Sequence, residues 1–529
     1  MPAAELSEAD KTAIANSAPA ETIEIWFSQD ETTATNITLG DGVTTHPVVD
    51  AVPGHLGNFT AVLGRSTANE DRGFKLPDGA WGPQFGQENS SSSGYVGATD
   101  TRFEIGTTIR QRKTFLVFYA AMNSEGRPPT NTGPGDNNTN WTFWYGTKTG
   151  LGNRWRQSVN SGQKTYIDRF GTFGSDTGSA RADWPLDSGW PVYQCAAFRF
   201  ADSGAGTNNN AVTVFKNGVD TGIGNLSISG EASGSAALAF WWGLAEQGQT
   251  FPCQTAWKVV IAVDDAMSDS EIATLTSTVL GYLNGPSAGQ IFISGDSICG
   301  GFRCEGSRSF GLHIADALGL TPYPMGRAFR VISSNNGVNG LIANAGILSI
   351  RQGQSGDGGA EDTDVDTTFL ANLDSSAAVR IMFLFIGIND VQRGFGGSNP
   401  TISECISSLS AWASFLRSGA TSLGSPIKIV AMNMPSSQSL NATQETDRVA
   451  FNTQLASVTF YDKLVDISDL DFQENSFNLS DNGLHPSLAG HSQMAARAIP
   501  VVRSLLSGGA LAGGPLVLQR ALRDGAGMA

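Results

Sequence analysis

The spacing of apolar and polar positions along this chain of 529 residues changes near residue 285. Before that point, short runs of β-branched, aromatic and small apolar residues recur at 24–27, 112–121, 141–145, 193–200, 211–216, 236–242 and 257–262, separated by turns rich in Gly, Asn, Ser and Asp. Many short strands with such turns predict an antiparallel β-sandwich or jelly roll over residues 21–285. After Asn284-Gly285-Pro286 the pattern alternates between strand and helix. Strands are predicted at 291–294, 331–334, 380–386, 427–432 and 464–467, with helices at 310–318, 402–417, 443–456 and 487–506. Continuous apolar strands between amphipathic helices predict a parallel sheet covered on both faces, an α/β/α domain over residues 290–506. Between the two regions, Ser268 or Ser270 is placed to cap a helix that ends near Leu283, with Asp269 and Glu271 near its positive end. Residues 1–20 form a short segment with helical character at 3–16 and are a candidate anchor. The Gly/Ala-rich tail, 507–529, reads as a disordered end or a docking segment for a larger assembly.

Composition narrows the function classes. A net charge of -16 leaves no source for the phosphate neutralisation that nucleic-acid binding requires. A local basic cluster at Arg303, Arg308, Arg327 and Arg330 runs against that balance. The five cysteines are too few and too scattered for a disulfide framework; Cys299 and Cys304 flank a Gly-Gly turn, where either a local bridge or free thiols would fit. Residues 1–22 lack the basic start and apolar stretch of a Sec signal peptide, and no run has the length of a membrane span. A soluble protein is expected, reaching an extracellular or particle surface, if it does, by another route. Histidines and cysteines lack ligand spacing, so no metal or cofactor is predicted. The acidic stretch 361–366 misses the glycine and terminal glutamate of a calcium loop.

Four short motifs in the second half carry candidate chemistry: Gly295-Asp296-Ser297, Gly337, Gly387-Ile388-Asn389-Asp390 and His485-Pro486. Ser297 lies just beyond a predicted strand, in a loop opened by Gly295 and continued by Gly300 and Gly301, as a sharply presented nucleophile requires. A serine hydroxyl needs a base, and His485 is the best placed of five histidines because Pro486 and the helix after it fix its backbone. His491 lies on that helix and reads as structural; His313 lies on the helix after the nucleophile loop; His46 and His55 belong to the first region. Taken singly, Gly387 to Asp390 reads as a strand-ending turn in which Asp390 holds backbone, and Gly337 and Gly340 as turn glycines.

On these motifs, together with Asn336-Gly337-Val338-Asn339-Gly340, the second region resembles the SGNH, or GDSL-type, hydrolases over about two fifths of the chain. The resemblance implies that Ser297 is the nucleophile and His485 its base. It implies that the Ser297 and Gly337 backbone N–H groups and the Asn389 side-chain amide hold the oxyanion. One position departs from the family: the aspartate usual three residues before the histidine is here Asn482. Asp481, four before His485, is an acid and could orient the imidazole after a local shift; otherwise Asn482 does so as a neutral partner, or a backbone carbonyl does. The end of the first region, with Asn217-Gly218 and the capped helix after 257–263, resembles concanavalin-like or laminin-G-like sandwiches.

A serine, a histidine and an oxyanion hole define acyl transfer to water. The segments between the motifs are small and polar with no long apolar lid, which favours a short acyl group. The resemblance of the sandwich to concanavalin-like domains implies carbohydrate, giving removal of O-acetyl groups from a polysaccharide as the leading expectation. Most sandwich tryptophans are nevertheless expected to be core residues. Two other readings stand beside it: a weakly catalytic or non-catalytic glycan-binding spike or fibre component of a phage-like particle, and an ordinary soluble esterase. Assembly into a particle or homo-oligomer belongs to the first of these.

Overall fold

The computed structural model describes residues 4–31, 33–38, 45–63, 74–82, 101–104, 113–122, 138–147, 152–159, 165–170, 181–183, 187–201, 211–222, 238–242, 255–301, 304, 308–326, 330–332, 351–352, 370, 372–397, 399–472 and 484–506. Among the described residues, the pairings between strands of the first region are antiparallel, with one isolated parallel bridge between Ala121 and Gly189, while the second region holds a separate five-stranded parallel sheet with helices.

Two runs of strands make up the antiparallel region. Thr22–Phe27, Thr255–Val263, Lys113–Ala121, Gln194–Ala201 and Ala211–Lys216 pair in that order. The second run orders Thr33–Thr38, Thr45–Pro53, Thr60–Leu63, Thr101–Glu104, Leu238–Trp242, Asn138–Thr147, Gly152–Val159, Thr165–Phe170 and Arg181–Asp183. One buried cluster draws on both runs, with Phe115, Val117, Phe198 and Val260 from the first and Val52, Phe103 and Trp242 from the second, so the two runs pack face to face. The opposite face of the first run alternates in register: Leu116, Phe118, Val259 and Ile261 pack against the helices α1 (Glu8–Ser17) and α2 (Asp269–Leu283). A strand buried on both faces reads as a continuous apolar run, which is why 112–121 and 257–262 are legible in the sequence. Several Thr-rich strands of the second run escape a hydrophobic pattern. The turn at Asn217-Gly218 has φ values of 50° and 81°, the left-handed pair a two-residue hairpin loop needs.

Helix α2 starts at Ser268, whose side chain accepts from the Glu271 N–H while the Glu271 carboxylate accepts from Ser268. Ser268 is therefore the cap, not Ser270. Helix α1 docks on its own chain: Leu6 and Ile14 are buried in the cluster with α2, and Gln29 exchanges hydrogen bonds with the Leu6 backbone. The two large apolar residues described in the candidate anchor segment, Leu6 and Ile14, are thus buried inside the fold. The tail after residue 506 lies outside the described residues. Among the described residues, no helix is long and apolar enough to cross a membrane.

The parallel sheet consists of β1 (Gln290–Gly295), β2 (Thr321–Gly326), β3 (Arg380–Phe385), β4 (Lys428–Met432) and β5 (Lys463–Val465), in the order β2-β1-β3-β4-β5. Its helices are α3 (Phe310–Leu318), α4 (Ile388–Arg393), α5 (Ile402–Ser422), α6 (Ala442–Ser457) and α7 (Leu488–Leu506). Strand β2 is not predicted from the sequence because it carries Pro322 and Pro324. Proline lacks the N–H a ladder needs, and β2 tolerates two because it is an edge strand whose alternate residues face away from β1. The strand expected at 331–334 is instead a two-residue strand, Arg330–Val331, paired antiparallel with Arg351–Gln352 outside the parallel sheet. The helix expected at 402–417 continues to Ser422.

The two regions share a core. Leu76, Ala120, Met122, Trp190, Tyr193 and Ala256 belong to the same buried cluster as the parallel sheet and its helices. The Gly189 N–H donates to the Pro322 carbonyl at 2.6 Å, covering the outer edge of β2. The Asn284 side chain accepts from the Tyr193 N–H and donates to the Tyr193 carbonyl. Trp190 is fully buried, and the Arg308 guanidinium lies 4.8 Å from its ring centroid. Truncating Trp190 to alanine is therefore expected to destabilise the whole chain by about 3–5 kcal/mol. A fall in the denaturant midpoint of the parallel-sheet region, followed by hydrogen exchange in β1 and β3, checks this; a loss confined to the antiparallel region would refute the shared core.

Candidate active site

In an open parallel sheet with the order 2-1-3-4-5, chain crossings leave on opposite sides of β1 and β3, and the crevice at their C-terminal ends is the usual place for chemistry. Strand β1 leads into Ser297 and strand β3 leads into Asn389, with Gly295 level with Phe385 in the register of the two strands.

The nucleophile turn is held by close backbone packing on both sides. A Cβ on Gly295 would sit 1.8 Å from the Phe385 carbonyl oxygen, and one on Gly326 would sit 2.1 Å from the Gly300 N. Only hydrogen fits at either place. Within the turn, the Asp296 carboxylate accepts from the Ile298 N–H at 3.0 Å, and the Gly300 and Gly301 N–H groups donate to the carbonyls of Asp296 and Ile298. The Cys299 thiol donates to the carbonyls of Ser294 and Phe385 at 3.4 Å each. Cys299 and Cys304 are buried and form no disulfide, so the turn is stiffened by packing and hydrogen bonds and not by a bridge.

Ser297 and His485, 188 residues apart, meet at 2.8 Å between Oγ and Nε2, both buried. His485 reaches this point because α7 begins three residues later. The Ser487 hydroxyl accepts from the Gly490 N–H, and the Ser487 carbonyl accepts from the His491 N–H, fixing the backbone that follows the imidazole.

His491 serves the fold. Its ring is fully buried, and Nδ1 accepts from the Phe310 N–H at 3.1 Å. That N–H belongs to the first turn of α3, where Ser309 makes no side-chain cap bond, so an imidazole from α7 caps α3. Burial, reinforced by neighbouring His485, pushes the His491 pKa down to about 3. His313, on α3, is likewise held well below its ordinary value, by burial first and then by Arg308 and His491. The sign of the acid effect follows. Unfolded histidine binds its proton near pH 6.5, whereas folded His491 does so only near pH 3. Between those values the unfolded state holds more protons, so stability is intact above pH 6.5 and falls as pH is lowered toward 3. The expected loss is about 1.4 kcal/mol per pH unit for each such histidine. Unfolding titrated between pH 6.5 and 4 checks it: His491→Asn, whose amide oxygen can still cap α3, should reduce the slope by about one proton.

Asn389 is 9% exposed and lies in the first turn of α4. Gly387, at the N-terminal boundary of α4, has φ +123°, a conformation that side-chain-bearing residues rarely adopt, and packs near Phe451 and Met434. Asp390 does hold backbone, as a turn reading of this motif expects: both carboxylate oxygens accept from the Ile332 N–H. Gly337, Gly340, Asp481, Asn482 and the acidic stretch 361–366 lie outside the described residues. In the basic cluster, Arg308 has a described side chain, and it is engaged with Trp190. Among the described residues no group of three or more His, Cys, Asp or Glu could hold a metal ion. Sequence reading missed Gly326 and the His491 cap, since neither carries a local signal; each acts on a segment far along the chain.

No family model and no curated protein matches this chain. Solved structures are similar to it only distantly. A family two carbohydrate esterase from Cellvibrio japonicus has a TM-score of 0.32 and 12% identity, over 84% of this chain and 98% of that one. A carbohydrate acetylesterase from Sinorhizobium meliloti has 0.30 and 13%, over 41% of this chain and 99% of that one. The sialidase of Trypanosoma rangeli in complex with sialic acid has 0.32 and 12%, over 49% of this chain. This chain spans about a third of the length of that sialidase, 33% of it. Likenesses at these scores carry no argument about the present site, whose case rests on its own geometry.

Proposed function

We propose that this chain is a serine esterase of the SGNH type that removes O-acetyl or other short acyl groups from a polysaccharide. The observation that carries the reading is the 2.8 Å contact between Ser297 Oγ and His485 Nε2, at the C-terminal end of β1, whose neighbour β3 leads into Asn389. In this reading the Ser297 hydroxyl attacks the ester carbonyl while Nε2 takes its proton. The Ser297 and Gly337 N–H groups and the Asn389 amide hold the oxyanion. The imidazolium gives the proton to the sugar oxygen as its bond to the acyl carbon breaks, leaving an acyl-serine that water, activated by the same imidazole, hydrolyses to the free acid. Asp481 or Asn482 orients the ring through Nδ1. The chemistry needs no cofactor.

The antiparallel region, proposed as a concanavalin-like sandwich, would present the glycan. Its role is not carried by Trp26, Trp81, Trp190, Trp242 or Trp257, which are fully buried and therefore core residues. The test is acetate release from short-chain aryl esters and from acetylated polysaccharide by the folded full-length chain. Turnover on both substrates supports the proposal. Turnover on aryl esters alone removes the polysaccharide, and none on either leaves a non-catalytic glycan-binding protein.

A further inference from the structure

Asp390 is 6% exposed, and both of its oxygens accept from one backbone donor, the Ile332 N–H, at 3.1 Å to Oδ1 and 3.0 Å to Oδ2. The two residues are 58 apart in the chain. Ile332 is itself fully buried and directly follows the short strand Arg330–Val331. Asp390 is the neighbour of Asn389 in the first turn of α4. A buried carboxylate is expensive to desolvate unless it is well bonded. The charge strengthens the bond it makes, so the contact is built to hold firmly.

We propose that Asp390 is a positioning residue for acyl transfer, clamping the turn that presents Asn389 to the backbone at Ile332. This rests on the esterase reading above, and it adds the device that holds the turn of Asn389 in a fixed frame. Such a frame matters because oxyanion donors act only when already aligned on the developing charge. A displacement of about 1 Å can cost about a hundredfold in rate.

The experiment uses the full-length chain with Asp390→Ala and Asp390→Asn, reading kcat and KM on an aryl acetate and amide exchange at Ile332. Asp390→Ala should lower kcat about 30- to 100-fold with KM changed by less than about threefold. It should also speed exchange at Ile332 by at least about tenfold. Asp390→Asn keeps an oxygen that accepts the Ile332 N–H, and should restore most of both. The proposal is overturned if folded Asp390→Ala keeps kcat within about threefold of wild type, or leaves Ile332 exchange unchanged. It is equally overturned if Asp390→Asn keeps Ile332 protected yet loses kcat as heavily as alanine, because the charge and not the clamp would then matter. Should Asp390→Ala not fold, the asparagine variant decides: Ile332 still protected with kcat lowered by more than about 30-fold from wild type overturns the proposal, and kcat kept within about threefold with Ile332 protected supports it. Should wild type release no acyl group, the esterase reading fails on its own, and Ile332 exchange in the variants still decides whether the clamp exists.

Discussion

Alanine at either Ser297 or His485 is expected to lower kcat for ester hydrolysis by about 10⁴- to 10⁶-fold, and the double variant by no more than the worse single one. The reason lies in their shared contact. With Oγ and Nε2 at 2.8 Å, the two side chains would make one reacting unit, in which the hydroxyl is a nucleophile only while the imidazole can take its proton. Removing either removes the unit, so the second deletion finds nothing left to lose. What survives is rate supplied by binding and by the oxyanion donors. The measurement is kcat on an aryl acetate for wild type, both singles and the double, each confirmed folded by its thermal transition. Losses that multiply would mean that the two residues contribute independently, and the proposed proton transfer would be wrong.

Asn389→Ala is expected to cost about 10²- to 10³-fold in kcat, with KM changed little. A donor aimed at charge that develops only in the transition state contributes to the barrier and not to ground-state binding. The setting favours such alignment: Asn389 is buried, and the backbone of its turn is constrained by the positive φ of Gly387 and the packing of Met434 and Phe451. Asn389→Asp should be at least as damaging despite its matching shape, because a carboxylate has no hydrogen to give and repels the oxyanion. A loss that falls mainly on KM would instead make Asn389 a substrate-binding residue, and an aspartate variant that retains activity would remove it from the oxyanion hole.

Elements whose stability is local or whose faces are uniformly buried were legible in the sequence. Helix α3 begins and ends where the pattern placed it, and α5 and α6 begin at Thr401 and Asn441 caps with reciprocal bonds from Glu404 and Gln444. Strands β1, β3 and β4 lie in the interior of the parallel sheet, so their apolar runs are continuous. Ser297 and His485 could be named from motif and order alone, because the chemistry restricts which residue types can serve.

What only the tertiary structure decided depends on partners that no local pattern specifies. Strand β2 exists because a sheet edge tolerates Pro322 and Pro324, and because the Gly189 N–H reaches the Pro322 carbonyl from the other region. Trp190 belongs to a core shared with residues more than a hundred positions later, so the antiparallel region is part of the scaffold of the parallel one. His491 caps a helix that starts 181 residues earlier, and Asp390 holds an amide 58 residues away. The sequence by itself named the groups proposed for acyl chemistry and placed many of the regular elements, since composition, periodicity and capping act over a few residues. The folded chain alone determined which groups meet, since a contact across the fold depends on where both partners are carried.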